Sequence, residues 1–136
     1  VAMDPEWAVE PGQVPGRTYG RTTGAELDSV AGYLSGLVAA GNLPEKPMIF
    51  HQVAPSIVRD EAALHPHPGV AIIRSVDGIG APAAKVATWG RVTAGKAPHV
   101  LGGFKLFYDE DVRQGPLMTG PEVLALLPQP EYVLFE

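Results

Sequence analysis

The charged and amide side chains of this sequence gather directly after short apolar runs. Val1-Ala2-Met3 leads into Asp4-Pro5-Glu6-Trp7, and Met48-Ile49-Phe50 into His51-Gln52. Val70 to Val76 leads into Asp77-Gly78, Phe104 to Tyr108 into Asp109-Glu110-Asp111, and Tyr132 to Phe135 into Glu136. The opposite ends of these runs carry turn chemistry: Lys46-Pro47, Pro68-Gly69, Gly102-Gly103 and Pro130-Glu131. Parallel α/β proteins place functional groups at the carboxyl ends of their strands, so this asymmetry predicts a polar rim. Paired carboxylates on such a rim suit glycoside hydrolysis, one donating a proton to the leaving oxygen, the other attacking or activating water.

This chemistry assigns Glu6 as general acid and Asp109 or Glu110 as its partner. Asp4, Trp7, His51, Gln52, Asp77 and Tyr108 are then substrate-binding groups, with Trp7 a flat platform for a sugar ring. The expectation includes no metal and no cofactor. The same carboxylates with His51 also suit a divalent metal for phosphoester hydrolysis or isomerisation, and an inactive barrel that binds polysaccharide is a further alternative. The aromatic and amide neighbours favour sugar.

Each residue also has a purely structural explanation. Asp4 and Glu6 can cap a loop, His51 can be a satisfied core histidine, Asp77-Gly78 can be a turn, and Asp109 to Asp111 can be a solvated loop. His65-Pro66-His67 lacks a zinc-ligand spacing and reads as surface loop. Lys105, inside an apolar run, needs a carboxylate partner if it faces an interior.

Helices must separate these strands. Thr23 and Glu26 have the spacing of a capping box, and Leu27, Val30, Leu34, Leu37 and Val38 mark one helical face up to the stop at Gly41 and Pro44. A short helix is predicted over Asp60 to Leu64. Another runs from Pro82 to Val92, with Val86 and Trp89 inward. A second capping box, Thr119 and Glu122, opens a helix with Val123, Leu124 and Leu127 inward. The resulting β-α-β-α-β-α-β-α-β order implies a parallel sheet.

No G-x-G-x-x-G or Walker motif opens a helix, which disfavours a doubly wound nucleotide-binding sheet. The reading is therefore α/β, a single domain over residues 1–136, made of the last five strands of a (β/α)8 TIM barrel. A whole barrel needs about 250 residues, so the N-terminal part of the barrel is expected to be missing from this chain.

Composition narrows the partners. Lys and Arg number 10 against 15 Asp and Glu, a net charge of −5, with pI near 5.3. Nucleic-acid binding needs clustered basic residues and is not expected. There are no cysteines, which excludes disulfides, thiolate metal ligands and a thiol nucleophile. No apolar run reaches the roughly 18 residues of a membrane span. The 16 glycines and 14 prolines are about twice the ordinary share and mark a turn-dense chain.

Asp4-Pro5-Glu6-Trp7, Pro11 to Gly16, His51-Gln52, Val76 to Gly80 and Gly103 to Asp111, in that order, resemble an actinobacterial family of largely uncharacterised secreted proteins or lipoproteins. That family is similar to glycosidase-like barrels. The resemblance spans nearly the whole chain. It implies a barrel fold and an extracellular or cell-envelope location, with the leader outside this chain, and it supports the carbohydrate reading of the strand ends. The family offers no established catalytic residue to carry over. At Ser75 the family has a more histidine-like character, so no rim role is transferred to that position.

Overall fold

The computed structural model describes residues 1–136. Its elements in chain order are β1 (Ala2–Met3), β2 (Thr22–Thr23), α1 (Gly24–Gly41), β3 (Lys46–Gln52), β4 (Val58–Arg59), β5 (Val70–Val76), α2 (Pro82–Thr93), β6 (Val100–Leu106), α3 (Gly120–Leu124) and β7 (Tyr132–Phe135). Five strands form one sheet in the order β1-β3-β5-β6-β7, and every pairing is parallel. The order follows the chain without reversal, so these strands contain no topological switch point. A second, two-stranded sheet pairs β2 with β4; alternating apolar patterns give no sign of such short strands.

Helix α1 forms where its capping box predicts. The Thr23 hydroxyl accepts the Glu26 N–H at 3.2 Å, and Glu26 Oε2 accepts the Thr23 N–H at 2.8 Å. Asn42, in the left-handed region at φ 47°, closes it. Leu27 and Ala31 bury against Met48, Phe50, Val70 and Ile72. Leu37 does not join them and is exposed.

Helix α2 brings Trp89 and Val92 against Val76, Phe104 and Leu106, with Met118 and Val123 completing this second cluster. Val86, expected inward, is exposed, and Lys85 beside it is buried instead. Helix α3 is only five residues long and ends at Leu124; Leu124 is exposed, and Leu127, expected inward on this helix, lies beyond its end and is exposed too. The predicted helix at Asp60 to Leu64 is a single 3-10 turn over Glu61–Ala63. Glu61 there pairs with the buried Arg74, whose guanidinium burial lowers to a pKa of about 10.

Successive strand side chains point to opposite faces, and both clusters draw on one face. Met48 and Phe50 of β3, Val70, Ile72 and Val76 of β5, and Val100, Phe104 and Leu106 of β6 all pack toward helices. The alternate residues Ile49 and Ile73 are buried yet belong to neither cluster. They lie on the second face, with Ala2 opposite Ile49 and Ile49 opposite Ile73 in register.

Strand β6 passes between these layers at two glycines. A Cβ at Gly102 would stand 2.8 Å from the Trp89 ring, and one at Gly103 would stand 3.0–3.1 Å from Tyr132, Ile73 and Ser75. Only glycine leaves room there for a tryptophan on one side and the second-face residues on the other.

Candidate functional site

The second face carries the polar groups. On it, His51 of β3 pairs in register with Ser75 of β5, and Ser75 with Gly103 of β6. Asp4 and Asp77 follow β1 and β5 at their carboxyl ends, Lys105 sits near the end of β6, and Glu136 follows β7. All five strands thus deliver a charged or imidazole group to one end of one face.

These groups form a continuous chain. His51 Nε2 lies 3.9 Å from Asp4 Oδ1, and His51 Nδ1 lies 3.6 Å from Asp77 Oδ2. Lys105 Nζ is 3.4 Å from that same Asp77 oxygen and 2.8 Å from Glu136 Oε2. It also sits 4.7 Å from the centre of the Phe107 ring, a cation–π distance. The other Asp77 oxygen accepts the Gly78 N–H at 2.6 Å. Lys105 therefore has the carboxylate partners that its place in an apolar run demands.

The electrostatics follow from burial and neighbours. Burial pushes the Glu6 carboxyl up; hydrogen bonding to its own backbone works the other way, and the charges of Asp77 and Asp4 add to the rise. Glu6 Oε2 is buried without a hydrogen-bond partner. Burial pulls His51 below the usual histidine value against the opposing pull of Asp77. Burial alone would lower Lys105, but its hydrogen bond to Glu136 and the charge of Asp77 outweigh it and hold the ammonium above its ordinary value. The same hydrogen bond holds Glu136 below the usual carboxylate value.

The structure brings together Asp4, Glu6, His51 and Asp77 among the residues expected at the site. It separates others. Gln52 shares the helix face with Met48 and Phe50, and its amide donates to the carbonyls of Ala54 and Pro55 at 3.2 and 3.3 Å. His51 and Gln52 are adjacent in a strand, so they cannot both face one site. Asp109 is exposed, Glu110 half-exposed, and neither forms an ion pair or a side-chain hydrogen bond. They lie beyond the strand end, in the turn before the 3-10 segment Asp111–Arg113. Their neighbour Asp111 is buried, but it serves a structural ion pair with Lys85 at 2.9 Å. Trp7 and Tyr108 are exposed at the rim, Trp7 over Gly16 and Tyr108 stacked on Phe135 with ring centres 5.6 Å apart.

Ser75, Lys105 and Glu136 are the members outside the expected set. Period-two alternation carries the signal for them: Ile49-His51, Ile73-Ser75-Asp77, Leu101-Gly103-Lys105 and Leu134-Glu136 each keep one parity.

Two cavities flank these residues. Asp77 lines one of about 230 Å³ together with Tyr19, Gly78 and Lys85. The larger, about 350 Å³, lies between the loop after β1 and Arg59 of β4. It is lined by none of the clustered groups. Asp28 gathers the two expected surface histidines, accepting the His65 N–H at 2.9 Å and lying 2.8 Å from His67 Nε2. The His65 N–H chiefly, with His67, lowers Asp28 to about 2.

The chain matches no known protein family, no curated protein and no solved structure.

Proposed function

We propose that this chain supplies five of the eight units of a (β/α)8 barrel whose rim hydrolyses a glycosidic bond in an envelope or extracellular polysaccharide. The observation that carries this reading is the meeting of Asp4, Glu6, His51, Asp77, Lys105 and Glu136 at the carboxyl ends of parallel strands. Support for a barrel comes from the strand order, which advances without reversal, as barrel units do.

A glycosidase needs one carboxyl that keeps its proton and one that does not, and environments that push two pKa values apart mark such roles. Glu6 is pushed up and Glu136 is pulled down. Glu6 is therefore the proton donor to the leaving oxygen. Glu136, held ionised by Lys105, replaces Asp109 and Glu110 as the second carboxylate. His51 and Asp77 position the sugar, and Trp7 and Tyr108 offer exposed ring faces to it.

The test is Glu6→Gln in the intact protein. Gln keeps the shape but cannot donate a carboxylic proton. Loss of general acid assistance is worth about 10²–10⁴-fold on an oligosaccharide. The loss is smaller on a nitrophenyl glycoside, whose leaving group departs without a proton. Equal losses on both substrates, or none on either, refute Glu6 as the acid. Retained turnover in Glu136→Gln refutes the second carboxylate.

A further inference from the structure

The second face holds more polar demand than its own side chains satisfy. His51 is only 3% exposed, and its Nδ1 has no hydrogen-bond partner. Ser75, paired with it in register, is fully buried, and its Oγ is likewise unpartnered. Beside them, one donor atom each from Asp4, His51 and Asp77 lie within 4.8 Å of one another.

The spacing suits coordination better than hydrogen bonding. Donors about 2.0–2.2 Å from a tetrahedral ion stand roughly 3.4 Å apart. From His51 Nδ1 the nearest carboxylate oxygen, on Asp77, stands 3.6 Å away, and from Nε2 the nearest, on Asp4, stands 3.9 Å away; whichever nitrogen ligates has one carboxylate close to that edge, and the second carboxylate lies within 4.8 Å. Hydrogen bonds from ring nitrogen to oxygen run to only about 3.2 Å. Charge points the same way. Four carboxylates, those of Asp4, Glu6, Asp77 and Glu136, share this end of the sheet with one ammonium, Lys105, so negative charge is in excess there.

We propose that Asp4, His51 and Asp77 bind a first-row divalent cation, Zn²⁺ or Mn²⁺. One imidazole and two carboxylates form a mixed nitrogen and oxygen set suited to these ions rather than to the all-oxygen shells of Ca²⁺ and Mg²⁺. The ion takes one ring nitrogen of His51 and one carboxylate oxygen from each aspartate. Asp4 has 47% of its side chain exposed, which gives the ion a path from solvent. Three protein ligands leave positions open for water or for hydroxyl oxygens of a polyol. The site does not depend on the glycosidase reading and is tested without turnover.

The experiment is calorimetric titration of chelator-stripped protein with ZnCl₂ and with MnCl₂, with MgCl₂ and CaCl₂ for comparison, alongside thermal melts. One Zn²⁺ or Mn²⁺ per chain and a raised melting temperature are expected. Asp4→Asn, at an exposed position, should leave the metal-free melting temperature unchanged and weaken binding at least tenfold. The surface pair is controlled by His65→Ala with His67→Ala, which should keep the high-affinity ion. Absence of binding overturns the proposal. So does binding that survives Asp4→Asn unchanged, or binding that disappears with the two surface histidines.

Discussion

Lys85, in the first turn of α2, and Asp111, in the turn after β6, form an ion pair 2.9 Å apart with almost no solvent contact. Asp111 also accepts the N–H groups of Gly80 at 2.9 Å and Phe107 at 3.0 Å, while Lys85 donates to the Gly78 carbonyl at 2.7 Å. The loops so joined are those that follow Asp77 and Lys105, so the pair fixes the strand ends from behind.

Removing one partner of a buried pair costs about 3–5 kcal/mol, because the other charge is stranded. The two partners here are not equivalent. Asp111→Ala strands Lys85 and two backbone donors, whereas Lys85→Met leaves Asp111 with both N–H partners. Denaturant unfolding should show Asp111→Ala near the upper end of that range and Lys85→Met clearly less destabilised. The reverse order would contradict this account of the pair.

Gly102→Ala should destabilise by about 1–3 kcal/mol through overpacking, since its Cβ would stand 2.8 Å from Trp89. Trp89 is pinned by its own hydrogen bond to the Pro128 carbonyl at 3.1 Å and cannot swing aside freely. Adding Trp89→Phe to Gly102→Ala should cost less than the two single changes together, a coupling that a double-mutant cycle reads directly.

The capping boxes make stability fall in acid. The Thr23 N–H, then the Thr22 and Thr23 hydroxyls, hold Glu26 below its ordinary value of 4.5; the Thr119 N–H and hydroxyl do the same for Glu122. Groups depressed in the folded state contribute stability that is complete above the unfolded value and is lost as pH falls through the folded one. Melting curves of the wild type and of Glu26→Ala should therefore differ at neutral pH and draw together as pH falls below 4.5, the ordinary value, and through the depressed folded one. A gap that stays constant with pH would mean the carboxylate charge is not involved.

Trp7→Ala separates binding from folding. The ring is 57% exposed, so its loss should change unfolding free energy by less than about 0.5 kcal/mol, as for other surface changes. If the rim takes a sugar, the same change should weaken oligosaccharide binding severalfold in a direct titration. Unchanged binding would remove Trp7 from the site.

Four of the five main strands and the starts of α1, α2 and α3 were legible because each rests on a local rule: an apolar run, a capping box, or a proline in the first turn. The fifth, β6, was expected over Phe104 to Tyr108 with Gly102-Gly103 as a turn before it; it spans Val100–Leu106, because the glycines serve close packing inside the strand and not a turn. Where packing decides, the rules fail. Leu37 obeys helical spacing yet is exposed, Leu127 falls beyond a helix that stops at Leu124, and Val86 yields its place to Lys85, whose charge finds Asp111. At the site, proximity in sequence misled: Gln52 beside His51, and Asp109 with Glu110 just beyond β6, share the strand ends but not the face. The link from Lys105 to Glu136 spans two strands and is visible only once their register is known.

The small sheet of β2 and β4 has a consequence for how a substrate could reach the strand ends. Thr22 and Thr23 pair with Val58 and Arg59, and the Gly20 N–H donates to the Glu6 carbonyl at 2.6 Å. The long loop that carries Glu6 is thereby stitched both to itself and to the loop after β3. It cannot lift as a flap without breaking a sheet. The side of the rim at β1 and β3 is a fixed wall, preorganised before any ligand arrives, and it can select a ligand by shape alone.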